Sequence, residues 1–442
     1  MVSVSKMANG GTASGRDASP RWPHGRALTW LLGMTVALGA VAETTVSDVV
    51  VNQRWPWNEK VDVDFVLSGE TSDVEVTAMW DAHPAPYRLG TLFSAAPGHS
   101  RLTWDPSKSP FAGQTLTGFT VAVSNAAASA HTYLIVDLVN GGYEFLPDVP
   151  AGGWTAEHKS SKMVFRRIRA GTYTNGEETA TFTLLGLDEA SAQNYSKLWN
   201  RRTVTFTSDF YVGVFKYTEA QDECLNSGTS GNSFKPKKLS YDSLRGGLDV
   251  ADWPSKGYAV GPDSVVAKLR AKTGGAFWVD LCEEEQWEVA ARADTTTILP
   301  NGVTTTDNYG VFTNKLNEIS AWYGTVGSEE AVVGLYATNN WGFYDVVGLV
   351  GEWTLDSAVK QGGASVLPRS GLGDSTDPTG ADLSQWNSEY RIFRTASANY
   401  AGVALYNVIP CSRQMKTHSD EYSCSTRFCI HLKPLGSLSF EE

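Results

Sequence analysis

The chain has 442 residues, 42% of them hydrophobic and 19% charged, which is ordinary for a globular protein and long enough for two or three domains. Its 48 acidic residues exceed its 36 basic ones, a formal charge of −12, and a surface of that sign repels phosphate backbones, which argues against a nucleic-acid partner. The five cysteines, Cys224, Cys282, Cys411, Cys424 and Cys429, form no Cys-x-x-Cys, which removes zinc-ribbon and thioredoxin chemistry; their odd number allows at most two disulfides.

In chain order, Arg21 and Arg26 precede an apolar run from Ala27 to Ala42 that closes on Ala40 and Ala42, the small-x-small pattern of a signal-peptidase site. The run is short and rich in Ala and Gly, so it predicts a secretory signal over 1–42 rather than a membrane span, with Met7 as an alternative start. The expected location is secreted, periplasmic or cell-surface. Removing that segment takes away four basic and one acidic residue and moves the formal charge from −12 to −15.

Residues 43–145 read as an all-β immunoglobulin-like sandwich with strands at 46–51, 61–67, 74–80, 119–124 and 132–139. Period-two alternation is clearest in Val61, Val63, Phe65 and Leu67 against Asp62 and Asp64. Turn-rich stretches such as "DAHPAPYRLG" separate these strands, and "LPDVPAGGWTAEHKSSK" predicts a linker over 146–162. Beyond it, Thr218 with Gln221 marks a helix start, Asp263 precedes a second helix with the apolar stripe Val265, Val266 and Leu269, and Asp280 with Glu283 opens a third carrying Trp287, Ala290 and Ala291 on one face. The strip "VVGLYATNNWGFYDVVGLVGEW" (332–353) combines glycines with aromatic rings and predicts a chain folded tightly on itself without regular elements.

Four blocks in order resemble the formylglycine-generating enzyme or sulfatase-modifying-factor domain, a variant of the C-type lectin fold: "MVFRRIRAGTY" (163–173), "FYVGVFKYTEAQ" (210–221), "LRAKTGGAFWVDLCEEEQWEVAARAD" (269–294) and "NNWGFYDVVGLVGEWTLD" (339–356). "DSTDPTGA" (374–381), "YRIFR" (390–394) and "STRFCIHL" (425–432) continue the resemblance. It implies an α+β domain over 163–435 with few short helices and long loops.

In the enzymes of this family a cysteine pair spaced C-x4-C follows an R-V-x-R-G-G-S strand and binds copper(I). Here Arg391-Ile392-Phe393-Arg394 matches that strand, Thr395-Ala396-Ser397 stands for Gly-Gly-Ser, and the two thiolate positions fall on Tyr400 and Leu405. Neither residue supplies a soft ligand. Cys424 and Cys429 have the C-x4-C spacing, but an odd separation along a strand points side chains to opposite faces. The family's calcium strip G-N-x-x-E-W keeps Glu352 but has Leu349 in place of its Asn, and Asn317 is a weak match to a second calcium loop.

Two functions follow from the resemblance. The first is a secreted, non-catalytic protein that binds or displays a glycan or protein ligand through Trp386, Tyr390, Asn399, Tyr400, Tyr406 and Asn407, rings and amides suited to recognition. The second is a copper-dependent oxidoreductase that makes formylglycine from a target cysteine with Cys424, Cys429 or Cys411. Some retroelement-diversified binding proteins also resemble this fold. No cofactor is expected under the first reading, although calcium is compatible with it. No membrane span is expected once the signal is removed.

Overall fold

The computed structural model describes residues 44–54, 57–126, 128–247, 257–321, 332–361, 364–366, 373–378, 389–395, 405–421 and 424–432. The predicted signal and the candidate residues Trp386, Asn399 and Tyr400 lie outside them. The chain divides into two compact units between Ala126 and Ala127.

The first unit is built by alternation. Strands β1 (Thr45–Gln53), β2 (Val61–Ser68) and β5 (Gly98–Trp104) form one antiparallel sheet in the order β1-β2-β5, and β3 (Ser72–Trp80), β4 (His83–Ala95) and β6 (Thr120–Ala126) form another in the order β4-β3-β6. Every second residue of β2 (Val61, Val63, Phe65, Leu67) and of β3 (Val74, Val76, Ala78, Trp80) enters one core shared by both sheets, as in a β-sandwich. The polar positions between them stay at the surface side, where Arg54 pairs with Asp62 (2.9 Å) and Arg101 with Asp64 (2.6 Å).

Two of these strands lie outside the expected set, one of them because it runs through sequence that reads as a turn. β4 contains Pro84 and Pro86, which cannot donate to a ladder. It lies at the edge of its sheet and its pairing with β3 slips at three places, so the prolines sit where no ladder bond is required. β5 opens on Gly98-His99-Ser100-Arg101 and sends only Leu102 and Trp104 into the core, too short a pattern to read as alternation.

The second unit holds β7 (Tyr133–Asp137), β8 (Tyr143–Leu146), β9 (Lys162–Ile168), β12 (Phe210–Gly213), β13 (Trp278–Leu281) and β20 (Phe428–His431) in one sheet ordered β13-β20-β12-β9-β7-β8. A second sheet runs β15 (Ala364–Val366), β14 (Gly351–Gln361), β17 (Tyr390–Arg394), β18 (Arg413–Thr417), with β19 (Cys424–Thr426) parallel to β14. A small third one joins β10 (Gly171–Asn175), β11 (Arg202–Phe206) and β16 (Ser375–Thr376).

The strand expected at 132–139 therefore belongs to the second unit and not to the sandwich. Four of its five residues are buried, and it pairs with β9 on one side and β8 on the other. The stretch expected as a linker is likewise packed: the Trp154 ring stands 5.1 Å from that of Tyr133, and Gln221 Nε2 donates to the Lys162 carbonyl (2.8 Å). A polar, Pro- and Gly-rich composition reads as a linker, but here its backbone is held by side chains from elsewhere.

Among the described residues the helices are α1 (Thr179–Leu184), α2 (Glu189–Leu198), α3 (Glu219–Ser227), α4 (Tyr241–Arg245), α5 (Val265–Lys272), α6 (Glu284–Arg292) and α7 (Tyr309–Ile319). Helix α3 starts at the Thr218–Gln221 capping box and stops at Gly228 in the left-handed conformation. α5 is capped by Ser264, one residue later than expected, and α6 by Glu283 with Gln286, because Asp280 is drawn into β13 by Arg245. No helix among the described residues is long and apolar enough to cross a membrane.

The boundary is testable by truncation. A chain beginning at Ala127 keeps β7 and β8, whereas one beginning at Pro147 removes β7, the neighbour of β9 on one side, and β8 beyond it. The shorter chain is expected to unfold at a clearly lower urea concentration, or to be recovered aggregated. Equal midpoints would place the boundary near 146 after all.

Candidate functional site

The glycine-rich strip at 332–353 is fastened by its polar groups. Asn339 Oδ1 accepts from the backbone N–H groups of Trp341 (3.1 Å) and Phe343 (3.0 Å), while its Nδ2 donates to the carbonyls of Ala290 (2.7 Å) and Ala291 (3.0 Å) near the end of α6. Gly348 has φ +69°, and a Cβ there would lie 2.0 Å from Ser320 Oγ and 2.6 Å from the Ala321 carbonyl. Only glycine fits that crossing.

The strip delivers Glu352 to the centre of the unit. Its carboxylate is fully buried and receives Lys216 Nζ, Trp287 Nε1 (3.0 Å) and Arg427 Nε (3.2 Å). Lys216 also donates to the Val350 carbonyl (2.9 Å), and Arg427 to the carbonyls of Gly213 (2.7 Å), Val214 (2.8 Å) and Tyr344 (2.7 Å). Burial opposes ionisation of Glu352, but the charges of Arg427 and Lys216 and the hydrogen bonds prevail and hold its carboxyl below the usual range. Both of its oxygens are already engaged by cations of the chain itself.

Helix α6 repeats this arrangement on a larger scale. All nine of its residues are buried, including Glu284, Glu285, Glu288 and Arg292, where the sequence suggests only one inward face. Arg413 of β18 donates to Glu284 Oε1 (2.7 Å), Arg202 of β11 (Nε, 3.1 Å) and Asn175 of β10 (2.7 Å) hold Glu285, and Arg394 of β17 and Arg292 hold Glu288 (2.5 and 2.8 Å). The N–H of Glu284 is taken by Asp356 of β14 (2.7 Å). One helix thereby fixes strands of both smaller sheets. Burial disfavours the Glu288 carboxylate, yet Arg394, Arg292, Arg202 and the Gly176 N–H pull it down to about 2.

These blocks, assembled in this order around a buried Glu-Trp pair, match a known domain. A family model for the sulfatase-modifying factor enzyme 1-like domain covers residues 155–398, more than half of the chain. The chain belongs to this family. Among solved structures, Treponema denticola variable protein 1 is 16% identical with a TM-score of 0.43, the likeness covering 63% of this chain and 98% of that one. CarF is 14% identical with a TM-score of 0.32, over 61% of this chain and 98% of its own. No curated protein matches. The fold class is accordingly α+β, of the sulfatase-modifying-factor type, with an all-β region before it.

Leu405, which the sequence resemblance aligns with the second copper thiolate, packs in an apolar cluster with Phe182, Trp199, Phe312 and Leu316. Cys411 lies in the same cluster, and burial pushes its thiol well above the ordinary value. Cys424 is buried on β19, next to β14, while Cys429 is on β20 between β12 and β13, so the two cysteines with enzyme-like spacing belong to different sheets. Burial raises the thiols of both.

The remaining candidates are dispersed. Tyr390 is half-buried against Ala358 and Ile392, and Tyr406 is half-buried against the Leu405 cluster with its ring 4.7 Å from that of Tyr195. Asn407, also half-buried, shares the short turn Leu405–Asn407 with it. Asn317 is exposed on α7, whereas Glu352 is fully buried. Leu349, which the resemblance sets in place of the family's Asn, has φ +61°, a left-handed conformation that Asn adopts more readily than Leu, and its side chain packs in a cluster with Val214 and Phe215. Thr395, matching a family glycine, has φ +57° for the same reason.

Sequence reading missed Lys216, Arg202, Arg413 and Glu284 as members of one network. Their partners lie 83 to 136 residues away along the chain, and an isolated arginine or glutamate carries no mark of burial. Removing the charge of Glu352 leaves Lys216 and Arg427 buried without it, so Glu352→Gln is expected to lower stability by about 3–5 kcal/mol in urea unfolding. Glu318→Gln, which removes an exposed pair with Lys315, is expected to change it by less than about 1 kcal/mol.

Acid should act in two windows. Burial lowers His431 from 6.5 to about 4, so between those values the unfolded chain takes up a proton that the folded one refuses, and stability falls as pH falls. Glu288, lowered from 4.5 to about 2, adds a second loss of the same sign below pH 4.5. Each contributes on the order of 3 kcal/mol across its window. Urea midpoints measured from pH 7 to pH 3 should fall throughout, and His431→Phe should flatten the upper part; an unchanged midpoint from pH 7 to pH 5 would contradict the assignment.

Proposed function

We propose that the protein is exported and uses its sulfatase-modifying-factor-like domain as a non-catalytic scaffold that binds or displays a glycan or protein ligand. The observation that carries this reading is Leu405, a hydrocarbon in a closed apolar cluster at the position where a family oxidase presents a copper thiolate. Soft-metal oxygen chemistry needs thiolates with access to the ion. The buried thiols of Cys411, Cys424 and Cys429, each raised by burial, favour neither condition. Recognition falls to the rings and amides of the 386–407 region, with Trp386 and Tyr400 as principal contacts and Tyr390, Asn399, Tyr406 and Asn407 beside them.

The same reading expects no calcium requirement, since Lys216 and Arg427 already neutralise Glu352. Millimolar calcium should leave the melting temperature unchanged. Export predicts a mature N-terminus at Glu43, which N-terminal sequencing of the secreted chain would read directly.

The decisive experiment pairs a glycan and protein array with metal analysis. A bound ligand whose signal falls at least tenfold on Trp386→Ala or Tyr400→Ala, in protein that takes up no stoichiometric copper(I), supports the scaffold. Copper(I) uptake together with oxygen-dependent turnover of a cysteine peptide, abolished by Cys429→Ser, would replace this reading with the oxidase.

A further inference from the structure

Two thiols that the sequence leaves unconnected meet in the second unit. Asp280 of β13 lies directly opposite Cys429 of β20, so Cys282, two residues beyond Asp280, is its diagonal neighbour on the same face of the ladder. The two thiols share an apolar cluster with Ile168, Val212, Trp287 and Phe343. Both are fully buried. Cys282 also donates to the Arg427 carbonyl (3.4 Å), and Cys429 to Gln286 Oε1 (3.5 Å). Cys411 belongs to a different cluster and Cys424 to a different sheet.

We propose that Cys282 and Cys429 are a paired dithiol that closes to a disulfide when the chain folds under an oxidising potential, tying the turn before α6 to β20. The oxidant is a small-molecule disulfide such as glutathione disulfide. One cysteine thiolate attacks it, forming a mixed disulfide and releasing one glutathione thiolate; the second attacks the cysteine sulfur of that mixed disulfide and releases the other. The chain loses two thiol protons and two electrons, and the glutathione disulfide is reduced to two thiols.

Exchange requires a thiolate with access to its target. Burial denies both once the sheet is complete, so the bond forms before β20 docks and is afterwards shielded from reductant. A link between residues 282 and 429 closes a long loop and restricts the unfolded chain accordingly. It also joins the turn into the helix whose carboxylates fix the smaller sheets to an interior strand of the larger one.

The test uses the full chain, reduced and denatured, then refolded either with glutathione disulfide or with excess reductant. Native packing is verified by near-ultraviolet circular dichroism, and free thiols are alkylated in denaturant. The expected product of oxidative refolding carries three alkylated cysteines out of five, a linked peptide pair containing Cys282 and Cys429, and a urea midpoint above that of the reduced chain. Cys282→Ser and Cys429→Ser should each take up four labels, yield no linked pair, and show the same midpoint with and without oxidant. Five labels on natively refolded oxidised protein, a link from either thiol to another cysteine, or native folding only in the presence of reductant would overturn the proposal.

Discussion

A carboxylate sealed from water must be matched by charge, and Glu352 meets that requirement with Lys216, Arg427 and the Trp287 indole. The four residues come from β14, from the chain just after β12, from the link between β19 and β20, and from α6. None of these segments can shift register without leaving a buried charge alone, so one ion cluster specifies how the two larger sheets and the central helix meet. Arg427 extends the constraint to backbone, since its guanidinium also donates to the carbonyls of Gly213 and Val214 at the end of β12 and of Tyr344 in the glycine-broken strip.

The same logic explains why α6 is buried on every side while carrying three glutamates and an arginine. Each glutamate meets an arginine from a different strand, so the helix acts as a hub and not as an amphipathic surface element. Where backbone must cross closely, as at Gly348, the absence of a side chain does the work. The frame does not rest on its apolar clusters alone. Ion clusters, glycine crossings and single anchoring indoles such as Trp353, whose Nε1 donates to the Leu239 carbonyl (2.8 Å), fix loops that lack regular structure.

A frame held this way is separable from the chemistry of the family's enzymes. Among the described residues, the network around Glu352 and α6 is built from the chain's own carboxylates, arginines and Lys216, and Leu405 packs apart from it in an apolar cluster. A fold hosts many activities, and function rests on the residues of its site.

Much was legible in the residues alone. Alternation in Val61–Leu67 and in the 74–80 stretch fixed two strands and their inward faces, the Thr218–Gln221 box fixed the start of α3, and ordered blocks around Trp287 and Glu352-Trp353 disclosed the family. These are local or short-range patterns, in which a residue's neighbours along the chain are also its neighbours in space. Tertiary structure alone decided that Tyr133–Asp137 joins the second unit, that a proline-bearing stretch becomes an edge strand, and that Cys429 shares a cluster with Cys282 while Cys424 lies in another sheet. It alone decided which cations neutralise Glu284, Glu288 and Glu352. Those pairings join residues distant in sequence, and charge, unlike apolar periodicity, leaves no trace of its partner until the chain has closed around it.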